Sequence, residues 1–351
     1  MENDFHFESE EVKPVAVDVC GGDKGLGVQV EGAVQAFKEF GVVSILVGPK
    51  LEINTKLESL SATNLPIQIV DAQEVISMDD SPARAVRKNP NSSLCVAYKL
   101  VKDGAASSII SSGNSGAMMI AGKLICGLIP GIERPAITTL IPVAGNNKPN
   151  VVLDVGANVE CDATHLIQFA VMGAVYYKSL FGSPLPKVAL LSNGTESSKG
   201  KEVTRSAAMA LQNIQNINYI GFVEGRDVPK PTADVIVTDG FTGNVLLKAM
   251  EGTAGLIKSQ LTYKAEQSWL NKLRFLAVRG ILKEAFGKDF DYSTYGGAPL
   301  LGLQNVAVVL HGASDERAVK NAIRVADSFA RKRLIESLTE ELCSVWTNCI
   351  I

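Results

Sequence analysis

The stretch IISSGNSGAMMIAG, residues 109–122, passes from an apolar strand through a polar, glycine-containing turn into small residues that favour a helix. The glycines let a ligand approach the backbone, and the free N–H groups at the start of a helix attract an anion. A plain βα loop, with glycine for its turn and serine as the helix cap, has the same composition. The stretch therefore predicts a strand–turn–helix unit, and an anion site is one of its two interpretations.

The same order of strand, glycine-rich turn and helix recurs along the chain. Apolar strands are predicted at VAVDV (15–19), VVSILVG (42–48), SSIIS (107–111), VVLDVG (151–156), KVALLS (187–192), ADVIVTDG (233–240) and NVAVVLHG (305–312). Helices are predicted over VQVEGAVQAFKEF (28–40), over the run that Ser81 and Pro82 begin, and over SLCVAYKLVKDG (93–104). This alternation is typical of an α/β fold with a mostly parallel sheet flanked by helices.

Polar turns rich in glycine, aspartate and asparagine follow six of these strands. They are residues 21–23, 113–116, 156–158, 193–200, 239–244 and 311–312. Ligands of open parallel sheets bind at the carboxyl ends of the strands, so we expect these turns to share one edge and form a site there. The turns contain neither the G-x-G-x-x-G fingerprint of a dinucleotide site nor a Walker A lysine motif.

Composition limits the class of protein. The chain has 351 residues, is 46% hydrophobic and carries a net charge of −3, which suits a large core and gives no indication of a nucleic-acid partner. The six cysteines are scattered without a CxxC pair, which indicates mostly buried thiols of a reducing compartment. The three histidines lie far apart in sequence, so no metal site is predicted.

The domain organisation predicted from the chain is simple. Residues 1–13 form an acidic leader without the apolar run of a signal peptide, and residues 14–343 form one α/β unit of two lobes. A helical insertion is expected at about 260–290, and residues 344–351 form a tail. No run of apolar residues is long enough to predict a transmembrane helix.

Several stretches together resemble the successive motifs of the phosphate acyltransferase (PlsX) family, in that family's order. They are VAVDVCGGD (15–23), SSGNSGAMM (111–119), IERPA (132–136), LDVGANVECDATHLIQFAVMGAVY (153–176), LLSNGTESSKGKE (190–202), INYIGFVEGRDV (217–228), ADVIVTDGFTGNVLLK (233–248), YGGAPLLGL (295–303) and HGASDERAVKNAI (311–323). The chain departs from the usual motifs at Val19-Cys20, where Ala-Met is usual, at Ser115 for Thr, and at Lys201 for Asn.

The resemblance implies a fold similar to isocitrate dehydrogenase and phosphotransacetylase. It implies an acyltransferase that converts acyl-acyl carrier protein and inorganic phosphate to acyl phosphate and free carrier protein, without cofactor or metal. The acyl phosphate feeds a glycerol-3-phosphate acyltransferase in bacterial phosphatidic acid synthesis. The family also implies a cytoplasmic homodimer that contacts the inner face of the membrane peripherally.

The resemblance and the positions of the turns together indicate the site residues. The catalytic candidates are Lys199, Asn114 and Asp18. The candidates for binding phosphate or substrate are Gly22, Asp23, Arg84, Ser112, Gly113, Ser115, Gly116, Arg134, Asn158, Glu196, Asp239, Asn244 and His311. Phosphate is already a nucleophile and a thiolate leaves readily, so the reaction needs charge stabilisation more than a catalytic triad.

Each candidate also has a structural interpretation. Asp18 and Asp23 could orient a cationic side chain, or Asp23 could cap a helix. Lys199 could be a solvated loop lysine instead of a charge that Glu196 holds in place, and Arg134 could belong to a buried structural ion pair instead of binding an anion. Asparagines and aspartates often cap such turns. For His311 a structural hydrogen bond is favoured over a proton relay, and for His165 capping or packing over a role as a base.

Because the chain is net negative, steering of an acidic carrier protein requires a local basic surface. The candidates are Arg84, Arg87, Lys88, Lys199, Lys201 and Arg205, and a solvated helix face is the alternative for the first three. The segment 260–286 also breaks the α/β rhythm, because its basic and apolar residues cover more than one helical face. It is interpreted as a peripheral contact with an anionic membrane or as a dimer interface.

Two rival functions remain from the residues alone. A nicotinamide-dependent hydroxyacid dehydrogenase on the related fold would need a dinucleotide signature and metal-binding aspartates that the sequence does not show. A non-enzymatic membrane scaffold for lipid-synthesis proteins would not need so many polar turns at strand ends.

Overall fold

The architecture was obtained from a computed structural model, which describes residues 13–145, 148–287 and 296–349. Its strands are β1 (Val15–Asp18), β2 (Ser44–Gly48), β3 (Gln68–Asp71), β4 (Ser108–Ser111), β5 (Ala136–Ile141), β6 (Asn150–Leu153), β7 (Lys187–Leu191), β8 (Asn218–Val223), β9 (Val235–Val237), β10 (Ala298–Leu301) and β11 (Val306–Val309). All the strands predicted from sequence are present.

Helices alternate with these strands along most of the chain. They are α1 (Leu26–Phe40), α2 (Lys50–Ser59), α3 (Pro82–Lys88), α4 (Ser93–Lys102), α5 (Ser115–Ile125), α6 (Ala163–Phe181), α7 (Glu202–Leu211), α8 (Gly240–Glu266), α9 (Trp269–Gly287), α10 (Glu316–Arg331) and α11 (Leu334–Cys349). Helix α1 ends at Gly41, whose left-handed backbone (φ 70°) closes it as the sequence predicts.

The described strands form one eleven-stranded sheet in the order β3-β2-β1-β4-β11-β10-β5-β6-β9-β7-β8. Strands β1, β2, β3, β4 and β11 pair in parallel, and so do β6, β7, β8 and β9. Between these halves β10 pairs antiparallel with β11 and β5, and β5 pairs antiparallel with β6. These reversals make the two parallel halves run in opposite directions.

Helices cover both faces of the sheet, as predicted. Alternate residues of each strand enter two apolar clusters; in β1, Val15 and Val17 join one and Ala16 the other. The first cluster packs α1, α2, α6, α7, α10 and α11 on one face, and the second packs α3, α4, α5 and the start of α8 on the other. Both parallel halves are therefore buried on two sides, which fits their nearly continuous apolar sequence.

Two boundaries differ from those expected. The helical segment predicted near 260–290 is the far part of α8 together with α9, so it begins as the extension of a helix that starts at Gly240. The tail expected at 344–351 is not separate, because α11 continues to Cys349 and Val345 is buried. The acidic leader lies outside the described residues except for Lys13.

Candidate active site

Three turns of the first parallel half meet at the carboxyl ends of β1, β4 and β11. A Cβ at Gly21 would lie 2.5 Å from the Gly113 nitrogen, so the two backbones touch and the position needs glycine. Ser112 Oγ donates to the Gly21 carbonyl at 2.9 Å, and the Asp23 N–H donates to the Gly312 carbonyl at 2.8 Å. The first group of turns, residues 18–23, 111–116 and 311–314, is therefore one connected surface.

Asp18 lies buried beneath this first group. Its carboxylate accepts hydrogen bonds from Ser111 Oγ at 2.7 Å and from the Cys20 N–H at 3.2 Å. Burial raises the pKa of Asp18 above its ordinary value of 3.8, and hydrogen bonds from Ser93, Ser111 and Cys20 offset part of that rise. Asp18 thus orients hydroxyl and N–H groups, and the cationic partner expected from the sequence is not among its contacts in the described chain.

Asp23 and Asn114 differ in how they use their side chains. The cap of α1 is Gly25 and no side chain bonds to that helix end, so the interpretation of Asp23 as a helix cap is wrong. Asn114 does cap α5, because its Oδ1 accepts the Ala117 N–H at 3.0 Å.

The Asn114 amide nitrogen holds the neighbouring loop. It donates to the carbonyls of Ser77, Met78 and Asp80 at 3.3, 3.0 and 3.1 Å. Both ends of the Asn114 side chain are therefore bonded to protein, which makes it a positioning residue rather than a direct ligand. An α-helix leaves the N–H groups of its first turn unpaired, so those of α5 are more suitable anion ligands than the Asn114 side chain.

Three turns of the second parallel half meet at the carboxyl ends of β6, β7 and β9. Asp154 is their centre: its buried carboxylate accepts from the N–H groups of Ile137, Gly156, Ala157 and Asn158 and from Asn158 Nδ2. Burial raises the pKa of Asp154 despite these donors. The second group comprises residues 154–158, 193–200 and 239–244.

Helix α8 begins against this second group. Asp239 caps it, accepting from the Thr242 N–H at 2.7 Å and hydroxyl at 2.9 Å, and also contacts Lys201 Nζ at 3.3 Å. A Cβ at Gly240 would lie 2.7 Å from the Asn158 nitrogen and from Asp154 Oδ2, so the helix start packs directly on the β6 turn. The side chains of Asp239 and Asn158 therefore have structural roles. Asp239 caps the helix, and Asn158 Nδ2 donates to the Pro135 carbonyl as well as to Asp154.

Lys199 and Glu196 lie together in the β7 turn, as the sequence predicts. Both side chains are exposed, and a Cβ at Gly194 would lie 2.8 Å from Glu196 Oε2 and from Lys199 Cγ. The Lys199 N–H donates to the Glu196 carbonyl at 2.9 Å, which tightens the turn. The Lys199 ammonium is consequently presented to solvent from a structured loop beside the start of α8.

The expectation that all these turns share one edge is wrong. Because the parallel halves run in opposite directions, their carboxyl ends point to opposite edges of the sheet. Helix α8 nevertheless joins the groups: Asn244 Cγ lies 3.8 Å from the Cβ position of Gly156, and Lys248 Nζ lies 3.5 Å from His311 Nε2. Asn244 and Lys248 stand on one helical face about 6 Å apart along the axis, so both groups lie along the same face of α8. The surface that they form together along this face is called the cleft below.

The remaining predicted residues surround this centre. Pro82 contacts Gly116, which places α3 and the exposed Arg84 beside the first group. Arg134 donates to the Glu160 carbonyl at 2.9 Å, so its described partner is neither a carboxylate nor an anion. His311 Nδ1 accepts the Ala313 N–H at 3.1 Å, the structural role favoured for it.

One group of side chains in the described part of the chain has metal-ligand spacing, namely Glu133, Asp162 and His165. His165 and Asp162 form the capping box of α6, with His165 Nδ1 accepting the Asp162 N–H at 3.1 Å. The other ring nitrogen lies 3.2 Å from Glu133. His165 thus takes part in the capping box of α6, and the capping role predicted for it is confirmed.

Two cysteines lie beside the turns, one in each group. Burial raises the pKa of Cys20 to about 11 and that of Cys161 to about 12. Both thiols are therefore protonated at neutral pH, and neither is a ready nucleophile. The arrangement favours attack by a bound substrate over an acyl-cysteine intermediate.

Sequence reasoning missed several residues of the site. Ser111 Oγ donates to the Asp18 carboxylate at 2.7 Å, and Gln29 Nε2 donates to Ser112 Oγ at 2.6 Å. Lys248 ends the motif ADVIVTDGFTGNVLLK, but nothing in that motif shows which face of the helix it occupies. A side chain eleven residues beyond its strand gives no signal in sequence until the helix direction is known.

Comparison with known proteins agrees with this geometry. Residues 13–337 match the family model described as fatty acid synthesis protein. A phosphate acyltransferase from Trichlorobacter lovleyi is 46% identical over 328 residues, covering 93% of this chain and 94% of that protein.

Solved structures share the fold at low sequence identity. A phosphotransacetylase from Streptococcus pyogenes superposes with a TM-score of 0.60 at 18% identity, covering 91% of this chain and 94% of that one. A branched-chain phosphotransacylase from Enterococcus faecalis gives 0.53 at 14% identity, covering 90% and 99%. At these identities the likeness supports the fold, and the closer relatives support the family: the chain belongs to the fatty acid synthesis protein family and, within it, to the phosphate acyltransferases.

Proposed function

We propose that this protein transfers the acyl group of acyl-acyl carrier protein to inorganic phosphate, giving acyl phosphate and free carrier protein. The observation that carries the proposal is that two groups of polar turns, with their helix N-termini and lysines, contact one face of α8. A phosphate oxygen attacks the thioester carbonyl carbon, the carbon–sulfur bond breaks, and the thiolate leaves and takes up a proton. No cofactor is required, because the reaction is a transfer between two bound substrates.

The residues have distinct tasks in this reaction. The first-turn N–H groups of α5, at Ser115 and Gly116, hold phosphate or the developing oxyanion. The Lys199 ammonium balances the negative charge that gathers on phosphate and on the leaving thiolate. Asn244, exposed one turn before Lys248, is placed to contact the reacting group, whereas Asp18, Asn114 and Asp154 hold the turns in position.

The direct test uses purified protein with palmitoyl-carrier protein and phosphate. We expect acyl phosphate, trapped with hydroxylamine, and free carrier thiol in equal amounts, each dependent on phosphate. Formation of thiol without acyl phosphate would indicate a thioesterase and contradict the proposal. A substrate-dependent change in nicotinamide absorbance would favour the dehydrogenase alternative. If neither reaction is observed, the scaffold alternative remains.

Carrier protein docking is proposed at the basic residues around the cleft. Arg84 and Arg87 are exposed on α3, and Lys199 and Lys201 are exposed in the β7 turn. Arg205 is half-buried and donates to the Gly200 carbonyl, which fixes the same turn. Both groups of turns therefore offer cations to an acidic carrier that delivers its prosthetic arm.

Membrane contact is proposed for the hairpin of α8 and α9. Trp269, Leu273 and Leu276 are 71%, 55% and 51% exposed, and the basic residues Lys264, Lys272 and Arg274 lie in the same segment. The side chains of Arg279, Ile281, Leu282, Lys283 and Phe286, also part of the prediction, lie outside the described residues. In the described part of the chain, no helix is sufficiently long and apolar for a membrane span.

The two interpretations of this hairpin agree if the protein is a homodimer whose paired hairpins reach an anionic membrane. Two weak contacts would then act together. A cytoplasmic enzyme attached peripherally in this way releases its lipid-like product at the bilayer, where a glycerol-3-phosphate acyltransferase consumes it. This part of the proposal is supported by the exposed apolar residues, and it does not affect the chemistry of the cleft.

A further inference from the structure

We propose that Gln29 is a positioning residue for phosphate binding, and that it acts by holding the β4 turn from which α5 begins. The inference rests on the proposed function, which places phosphate or the oxyanion at the first-turn N–H groups of α5. It adds a residue of α1 that lies outside the motifs by which the chain resembles its family. Gln29 acts through Ser112 and the backbone, and it does not itself touch the substrate.

The amide nitrogen of Gln29 bonds to two turns at once. Gln29 Nε2 donates to Ser112 Oγ in the β4 turn at 2.6 Å and to the Gly21 carbonyl in the β1 turn at 3.3 Å. Ser112 Oγ donates its own hydrogen to the same carbonyl at 2.9 Å. Because a carbonyl only accepts, the nitrogen of the amide and not its oxygen must face Gly21. The three groups therefore form a closed set of hydrogen bonds between the two turns.

These bonds act where the backbones of the two turns touch. A Cβ at Gly21 would lie 2.5 Å from the Gly113 nitrogen, and the chain passes from Gly113 through the cap residue Asn114 into α5. A displacement of Ser112 against Gly21 therefore also displaces the N–H groups at the start of α5. A shift of about 1 Å is enough to weaken the contact of such groups with a bound anion.

Gln29 holds the turns from a fixed helix. Its side chain is buried, and the neighbouring Val30 and Ala33 belong to the apolar core. A Cβ at Gly32 would lie 2.5 Å from Val319 Cβ, so α1 packs closely against α10 and cannot move toward or away from the turns. The amide nitrogen of Gln29 is thus a rigid anchor for Ser112.

The other end of the Gln29 side chain is unfavourable for folding. Its Oε1 is buried and has no hydrogen-bond partner among residues 13–145, 148–287 and 296–349. An unpaired buried acceptor destabilises the folded state, and an apolar side chain of similar size would avoid that cost. A residue that is suboptimal for stability but bonds to the turns of the site is typical of a functional position. Stability and phosphate affinity should therefore respond differently to its replacement.

The experiment replaces Gln29 with apolar residues of similar size, as Gln29→Leu and Gln29→Met. The matched control is Gln168→Leu, since Gln168 is 1% exposed against 2% for Gln29 and lies outside both groups of turns. Gln168 Nε2 donates to the Gly131 carbonyl and its Oε1 accepts the Glu133 N–H, both at 3.0 Å. The measurements are phosphate affinity by calorimetry without acyl donor, the KM values for phosphate and for palmitoyl-carrier protein, and the free energy of unfolding in denaturant.

We expect both Gln29 variants to lose phosphate affinity by about fivefold or more, the effect of one lost hydrogen bond, and to raise the KM for phosphate equally. The KM for palmitoyl-carrier protein should stay unchanged, and the free energy of unfolding should not fall. Gln168→Leu should do the reverse, with lower stability and unchanged phosphate affinity. In a Ser112→Ala background, Gln29→Leu should have a much smaller further effect, because the bond through which it acts is already absent.

Three outcomes would overturn the assignment. Unchanged phosphate affinity in both Gln29 variants is the first. The second is a loss of unfolding free energy as large as that of Gln168→Leu, or failure of both variants to fold, since Gln29 would then be a structural residue only. The third is an equal effect of Gln29→Leu with and without the Ser112 hydroxyl.

The proposed function is tested separately from this role, because calorimetry needs no turnover. If acyl phosphate forms with the same KM for phosphate in the Gln29 variants, only the positioning role is refuted. Phosphate binding that depends on Gln29 in a protein forming no acyl phosphate would refute the proposed function while retaining this role.

Discussion

At the scale of single residues, the role of Lys199 can be tested most directly. Its side chain is exposed on a turn that backbone contacts already hold, so Lys199→Ala should leave the unfolding transition unchanged. Turnover should fall by about 100-fold or more, the usual effect of removing one strong electrostatic donor. Lys187→Ala, at the opposite end of β7, is the matched control and should retain full turnover. Steady-state acyl phosphate formation measures both, and near-normal turnover in Lys199→Ala would make Lys199 a solvated lysine.

Asp18 gives a prediction about stability and pH. Burial raises its pKa in the folded protein above 3.8, so the folded state holds this proton more tightly than the unfolded chain. The free energy of unfolding should therefore fall as pH rises from about 4 through the raised pKa. Asp18→Asn removes this titration while an amide can still meet Ser111 and the Cys20 N–H.

Denaturant unfolding of the Asp18→Asn variant at several pH values tests this. We expect a flatter dependence of the unfolding free energy on pH than in the unmodified protein. Some slope should persist, because burial raises the pKa of Asp154 as well. Identical slopes in the two proteins would show that Asp18 titrates alike in the folded and unfolded states.

Side-chain roles also show how far sequence reasoning reaches at this scale. The turns were identified correctly, since glycine and Asx residues after apolar strands are visible in sequence. The sequence does not show which side-chain atoms are already hydrogen-bonded within the protein. Asn114 and Asn158 look like ligands in sequence, but their amide nitrogens donate to backbone carbonyls from other turns. Only tertiary contacts distinguish a positioning residue from a ligand.

At the scale of elements, the hairpin of α8 and α9 makes a prediction about the membrane. Replacing Leu273 and Leu276 with Glu puts two charges among exposed apolar residues beside Trp269. Binding to anionic vesicles should be lost, while activity on carrier-bound substrate in solution should remain. Sedimentation with vesicles of phosphatidylglycerol measures the first, and Leu51→Glu, on an exposed helix elsewhere, is the control.

The oligomeric state distinguishes the two interpretations of that hairpin. If the double variant still binds vesicles, or if it separates into monomers by light scattering, the hairpin is better described as a dimer contact. Loss of vesicle binding with an unchanged mass would support membrane contact. Binding to neutral vesicles as strong as to anionic ones would contradict the role of the basic residues.

The fold illustrates a second limit of sequence reasoning. Seven of the eleven strands were predicted, whereas β3, β5, β8 and β10 were not. The strands β5 and β10 were missed because AITTLI and APLL lie in motifs without that alternation. These two strands reverse the direction of the sheet. Since the order and direction of pairing depend on them, the sequence predicted a single edge where the protein has two, joined by α8.

At the scale of the whole molecule, charge decides how the carrier protein arrives. The chain is net negative at −3, so it should repel an acidic carrier unless docking is governed by the local cations around the cleft. Such attraction is screened over about 10 Å at 0.1 M salt. The KM for palmitoyl-carrier protein, measured at fixed phosphate, should therefore rise as salt increases from low to physiological concentration.

A carrier-free substrate separates this steering from the chemistry. The palmitoyl thioester of N-acetylcysteamine keeps the reacting bond but has no acidic protein attached, so its KM should not change over the same range of salt. Arg84→Glu together with Arg87→Glu, on the exposed face of α3, should raise the KM for the carrier substrate alone and reduce its dependence on salt. If both substrates show the same dependence on salt, screening acts on phosphate in the cleft, and the carrier is recognised through contacts other than these cations.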